Sequence, residues 1–139
     1  MVEPTFILQA TLKSNGYSLT KPRQTVFDAL QNQEPQTMNS LVVTCHNRID
    51  RASVYRTVDL FEKLGIIQRL QIGWKHKLEL SDAFSHHHHH LTCSLCSKVI
   101  PITEDKLLEK QLRGLAAIHN FQPQSHQVEI RGLCQTCQV

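Results

Sequence analysis

No apolar run in the 139-residue sequence approaches the length that a membrane-spanning helix needs, so a membrane is not an expected partner. The opening Met1-Val2-Glu3-Pro4-Thr5 lacks the basic flank and apolar core of a secretory signal, which makes the cytoplasm the expected compartment. No His-Glu-x-x-His occurs, and with it goes the simplest zinc-hydrolase reading; no enzyme activity and no small-molecule substrate are expected. There is no large excess of either charge: 19% charged residues and a formal charge of +3 permit nucleic-acid binding without requiring it. The 40% apolar content is that of a soluble globular protein. The length suits one domain or two small lobes, and a lobe of roughly 60 residues buries too little apolar surface to be comfortable alone. A metal staple would relieve that shortage.

The means for such a staple are present. His86-His87-His88-His89-His90 runs directly into Leu91-Thr92-Cys93-Ser94-Leu95-Cys96, and a second C-x-x-C pair, Cys134 and Cys137, lies at the far end. Two thiolate pairs match the count and tetrahedral preference of a closed four-cysteine Zn²⁺ site; two disulfides or four unliganded thiols are the alternatives. In the cytoplasm a C-x-x-C pair reads as metal or redox chemistry before disulfide. Five cysteines leave Cys45 over, expected as a small buried hydrophobe. In an extended segment alternate side chains point to opposite sides, so His88 and His90 can serve one metal while His87 and His89 serve another.

The first half reads as helices. Phe6, Ile7, Leu8 and Leu12 carry a helical period that ends at Asn15-Gly16. Thr20 is positioned to cap a second helix with Pro22 in its first turn and Lys21 and Arg23 at its exposed start. Turn material from Gln31 to Thr37 leads to a short third helix beginning at Met38. The fourth helix opens after Asp50, buries Val54, Val58, Phe61 and Leu64, and stops at Gly65. Its outward residues, Arg51, Ser53, Tyr55, Arg56 and Thr57, are suited to reading a major groove, with arginine on phosphate or guanine and tyrosine against thymine methyls; an ordinary polar face is the alternative. Two alternating strands, Ile66 to Ile72 and Lys75 to Leu80, joined by a Gly73-Trp74 turn, then complete a winged helix, with Lys75 on the basic wing.

Further on, Lys98 to Ile102 reads as a strand whose Pro101 argues for a sheet edge. Thr103 is expected to cap a helix with Glu104 and Asp105 in its first turn and Leu108, Leu112 and Leu115 as its apolar stripe. Ser125 to Arg131 is expected as a strand returning Cys134 and Cys137 beside Cys93 and Cys96.

The sequence resembles the ferric uptake regulator family of bacterial metal-sensing repressors. The resemblance rests on Thr20-Lys21-Pro22-Arg23, on Ala52-Ser53-Val54-Tyr55-Arg56-Thr57 with Leu64-Gly65-Ile66-Ile67, on the His86 to Cys96 cluster, and on Gly132-Leu133-Cys134-x-x-Cys137, in the family's order. It implies an α+β protein: an N-terminal winged-helix DNA-binding domain over residues 1–80, a hinge over 81–85, and a small α/β metal-binding dimerisation domain over 86–139 with the four-cysteine zinc site. It further implies a homodimer on a palindromic, AT-rich double-stranded operator. Glu79, His88 and His90 map to a regulatory metal site at the hinge, and His87, His89 and His126 to a second site. The regulatory ion is expected to gate operator affinity, making the protein a repressor of metal-uptake genes. A metal buffer or delivery protein would use the same His-Cys cluster but would have no use for Tyr55, Arg56 and a basic wing.

The sequence departs from the family pattern in carrying His89 where an acidic residue is usual, Pro101 where many members have glutamate, and Glu34-Pro35 where many have histidine. The helical glutamate of the second site has no fixed counterpart, since Leu108 falls near it; of Glu104, Asp105 and Glu109, Glu109 is the one assigned. Fewer carboxylates and more nitrogen favour Zn²⁺ over Fe²⁺ or Mn²⁺ as the regulatory divalent ion.

Overall fold

The computed structural model describes residues 2–72 and 74–138, so Gly73 of the expected turn lies outside the described residues. The protein divides into two compact units, Met1–Ser85 and His86–Val139.

The first unit opens with four helices, α1 (Pro4–Ser14), α2 (Lys21–Leu30), α3 (Met38–Cys45) and α4 (Arg51–Lys63), followed by the antiparallel hairpin β1 (Ile67–Ile72) and β2 (Lys75–Leu80). Each helix offers an apolar stripe to one core, built from Leu8 and Leu12 of α1, Val26, Phe27 and Leu30 of α2, Leu41 and Cys45 of α3, and Val54, Val58 and Phe61 of α4. Cys45 is fully buried there, as expected of a leftover cysteine, and burial pushes its thiol above the ordinary value. Gly65 has φ +71°, the left-handed conformation that lets the backbone leave α4 and enter β1. The segment read as turn material contributes more than a turn: Gln36 and Leu78 exchange backbone hydrogen bonds of 2.9 and 2.6 Å, tying the loop before α3 to the wing. Thr20 stands at the N-cap of α2, but its side chain makes no capping hydrogen bond; Pro22 in the first turn defines the helix start instead.

The second unit is a three-stranded sheet in the order β4-β3-β5 and one helix: β3 (His88–Cys93), β4 (Val99–Thr103), α5 (Lys106–Ile118) and β5 (Glu129–Gly132). Strand β4 is an edge, which is where Pro101 can sit without breaking a ladder. Two expectations are corrected here. Thr103 ends β4 rather than capping the helix; Asp105 is the cap, its carboxylate accepting from the backbone N–H groups of Leu107 and Leu108 at 2.9 and 3.0 Å. The last strand begins only at Glu129, so His126 lies in irregular backbone, although the carbonyl of Val128 still accepts from the backbone of His90. The apolar interior of this unit is small. Cys93 and Val99 are its buried hydrophobic residues among the described ones, and the remaining buried positions are polar: His89, His90, Thr92 and Glu109. Leu115, on the apolar stripe of α5, is exposed, as are Leu107, Ile118, Ile130 and Leu133.

Candidate metal centres and nucleic-acid face

Strand β3 organises the second unit's chemistry. It pairs in parallel with β5, Cys93 opposite Gly132, so the segment beyond β5 emerges beside the turn that carries Cys96. Cys134 follows two residues on, and a single 3-10 turn, Gln135–Cys137, brings the fourth thiol round. The four sulfurs lie within 4.8 Å of one another, and Cys96 Sγ is 3.8 Å from Cys134 Sγ. A tetrahedron with Zn–S bonds of about 2.3 Å has edges of about 3.8 Å, so the cluster has the dimensions of a closed Zn²⁺ site. All five cysteines are free, which sets the disulfide alternative aside.

The thiols also behave as a set that wants a cation. Backbone N–H groups of Cys96 and Cys134 point at Cys93 and hold its thiol down to about 6, whereas the hydrogen bond with Cys134 pushes Cys137 up to about 12. Without a positive charge the four cannot all ionise at close quarters. A dication lets them.

The alternation of β3 sorts the histidines. His87 and His89 face one way, where they meet Glu109 in the first turn of α5 and His126. Glu109 Oε1 is 2.6 Å from His89 Nε2 and 3.4 Å from His87 Nε2, Oε2 is 2.8 Å from His126 Nε2, and the Nε2 atoms of His87 and His126 are 3.0 Å apart. Three imidazole nitrogens and a carboxylate thus converge on one point, with His89 2% and Glu109 3% exposed. Burial opposes the charge of Glu109, but hydrogen bonds from His89 and His126 outweigh it and hold the carboxyl below the usual range. His89 Nδ1 is buried with no hydrogen-bond partner, so the ring's polar tie is at Nε2, in the cluster. This donor set fits a four-coordinate divalent ion. Glu109 was one of three acids open in the sequence; the signal that singles it out is its place three residues before Leu112, on the inward flank of α5.

His88 and His90 face the other way, their ring centroids 4.8 Å apart. His88 Nδ1 lies 2.9 Å from the carbonyl oxygen of His86, which puts the proton on Nδ1 and the lone pair on Nε2. In the first unit Glu79 is buried on β2, its carboxylate accepting from Gln68 across the hairpin.

The proposed reading residues of α4 divide. Arg51 and Arg56 are exposed, and Tyr55 is 38% exposed with the Arg51 guanidinium 5.5 Å over its ring and bonded to its hydroxyl at 3.3 Å. Ser53 is half-buried and accepts from Arg56; it also holds the carboxyl of Asp50 below its ordinary range through a hydrogen bond. Thr57 does not belong to this face. It is 5% exposed, because its position three residues after Val54 and four before Phe61 turns it onto the core stripe. Lys21 and Lys75 are exposed, whereas Arg23 is half-buried, bonded to the Ser18 carbonyl and lying 5.4 Å from the Tyr17 ring centroid. No helix among the described residues is long and apolar enough to cross a membrane.

Known proteins share this layout. The sequence model described as "Ferric uptake regulator family" matches residues 14–131. The ferric uptake regulation protein of Vibrio cholerae is 33% identical over 129 residues, covering 88% of this protein and 84% of that one, and that of Escherichia coli is 31% identical over 129 residues, covering 88% and 85%. The crystal structure of the Vibrio cholerae ferric uptake regulator superimposes with a TM-score of 0.72 at 31% identity, covering 91% of this protein and 99% of that one. Such proteins regulate transcription and are not enzymes, and they bind operator DNA as dimers. With its four-cysteine cluster, its histidine–carboxylate cluster and similarity along most of its length, the protein belongs to the ferric uptake regulator family of metal-responsive, DNA-binding transcriptional regulators.

Proposed function

We propose that the protein is a repressor of metal-uptake genes whose affinity for a palindromic, AT-rich operator depends on a regulatory divalent ion, with Zn²⁺ preferred over Fe²⁺ and Mn²⁺. Cys93, Cys96, Cys134 and Cys137 hold a permanent structural zinc. Glu79, His88 and His90 hold the regulatory ion, and their shared engagement restricts the hinge over residues 81–85. That restriction sets the angle at which two winged helices of a homodimer meet successive major grooves. His87, His89, His126 and Glu109 hold a second ion. Lys21, Arg51, Ser53, Tyr55, Arg56 and Lys75 contact the duplex. Arg23, which is bound within its own unit, joins the contacts only by releasing the Ser18 carbonyl.

The observation that carries this reading is the sorting of ligands along β3: a thiolate cluster at its end, one histidine pair on each side, and a buried glutamate against His87 and His89. A cluster closed by four thiolates suits permanence. A pair of neutral imidazoles, His88 and His90, holds a divalent ion less tightly than four thiolates and suits one that comes and goes. The preference for zinc rests on a sequence with fewer carboxylates and more imidazole nitrogen than the family pattern.

A gel mobility shift on an AT-rich palindrome tests the proposal. Protein holding its thiolate-bound zinc should bind at least about tenfold more tightly when the regulatory sites are loaded, a coupling typical of ligand-switched proteins, and zinc should act at lower free concentration than iron or manganese. His90→Ala should remove the metal response while leaving the thiolate-bound zinc in place. Binding that ignores added metal would overturn gating, and a protein that takes up metal yet never shifts the duplex is a buffer.

A further inference from the structure

The one tryptophan of the sequence, Trp74, stands at the tip of the wing and is fully exposed. Most large apolar residues of the first unit are buried in its core, so an indole left in water at a hairpin tip calls for an external surface to meet. The hairpin register pairs Ile72 with Lys75 as its last rung, which places Trp74 beyond the end of the ladder, at the tip. Lys75 and His76, the next two residues, are exposed, and Lys77 follows. The one carboxylate on the hairpin, Glu79, is buried and hydrogen-bonded to Gln68. The tip is therefore cationic and aromatic together, which matches a polyanion with an apolar interior between its phosphate rails.

We infer that Trp74 is a DNA-contacting wedge: the indole enters the minor groove beside the major-groove half-site, while Lys75 engages the flanking phosphates. This rests on the DNA-binding function proposed above. Strands of six residues reach about 20 Å, enough to pass from a helix lying in the major groove to the neighbouring minor groove. Apolar side chains inserted there partly unstack a base step, and pyrimidine–purine steps such as TA yield most readily. Trp74 accordingly adds preference for a deformable flank that α4 never touches. The bond between wing and body supports this use: the Gln36–Leu78 backbone pair anchors β2, so force at the tip is resisted by the core.

The test exploits the residue's singularity, because intrinsic tryptophan emission reports this one position. Full-length, zinc-loaded protein is titrated with operator duplexes whose flank carries either a TA step or a stiff A-tract, following emission wavelength, iodide quenching and a parallel mobility shift. On the TA duplex the emission should move to shorter wavelength and quenching should fall several-fold. Trp74→Ala should weaken binding to the TA duplex by about tenfold, Trp74→Phe by less. The salt slope should not change in Trp74→Ala, since an indole releases no counterions, whereas Lys75→Ala should lower it by about one phosphate's worth. A metal-dependent shift with Trp74 as quenchable as in free protein would overturn the wedge and leave the repressor reading standing. Equal loss of affinity on both flanks would likewise overturn its role in flank preference. No shift under any metal would bring down both.

Discussion

Removing the thiolate-bound zinc should unfold the second unit while leaving the first intact. The reason lies in the contrast between the two interiors. The first unit packs Leu8, Leu12, Val26, Phe27, Leu41, Val54, Val58, Phe61 and others into one core, whereas the second buries only Cys93 and Val99 as apolar residues among those described. At roughly 1.5–3 kcal/mol for each fully buried aliphatic side chain, that second interior supplies a few kcal/mol. Zinc bound by a preformed thiolate set supplies about 10–16 kcal/mol in comparable small sites, as much as the whole stability of an ordinary domain. The exposed apolar residues of α5 and β5 add nothing to that interior, because burial in the unit itself is what their exposure forgoes. Hydrogen exchange read by mass spectrometry, before and after a strong chelator, resolves the units separately. Protection of β3, β4 and β5 should fall by at least about three orders of magnitude, equivalent to about 4 kcal/mol, while α2 and α4 keep theirs. Sheet amides equally protected in zinc-free protein would refute the reasoning.

Other consequences can be checked singly. Phe61→Ala, at a fully buried position, should cost about 3–5 kcal/mol in urea denaturation of the first unit, without affecting zinc content. Gly65→Ala, forced into φ +71°, should cost about 1–2 kcal/mol by the same measurement. Thr57→Val should leave operator affinity within about twofold, as expected of a side chain facing the core, whereas Arg56→Ala should lower the salt slope by about 0.9. Burial raises the Cys45 thiol above its ordinary 9.0, and the neutral form is the one the fold favours. Its contribution is therefore complete below pH 9.0 and is lost as the pH climbs toward the folded value. Alkaline melting curves should show that decline, and Cys45→Ala should flatten it.

Much of this protein could be read from order and spacing alone. Two C-x-x-C pairs announce a four-sulfur set because ligand number and geometry are properties of the metal, and strand alternation divides the histidine run whatever packs around it. The apolar period of α4 likewise marks its buried edge, because Val54, Val58 and Phe61 have nowhere else to go. What sequence spacing could not resolve was decided by packing. Thr57 is polar enough for a DNA face, yet the helix turns it inward. Thr103 and Asp105 are both competent caps, and the choice follows from where β4 ends. Glu109 becomes the carboxylate of the histidine cluster only because α5 docks with that edge toward β3. Gln36 joins the wing through a backbone pair that no side-chain pattern encodes. Local chemistry named the donors and the elements; which of several equivalent groups met at each point depended on how distant segments came to share one small volume.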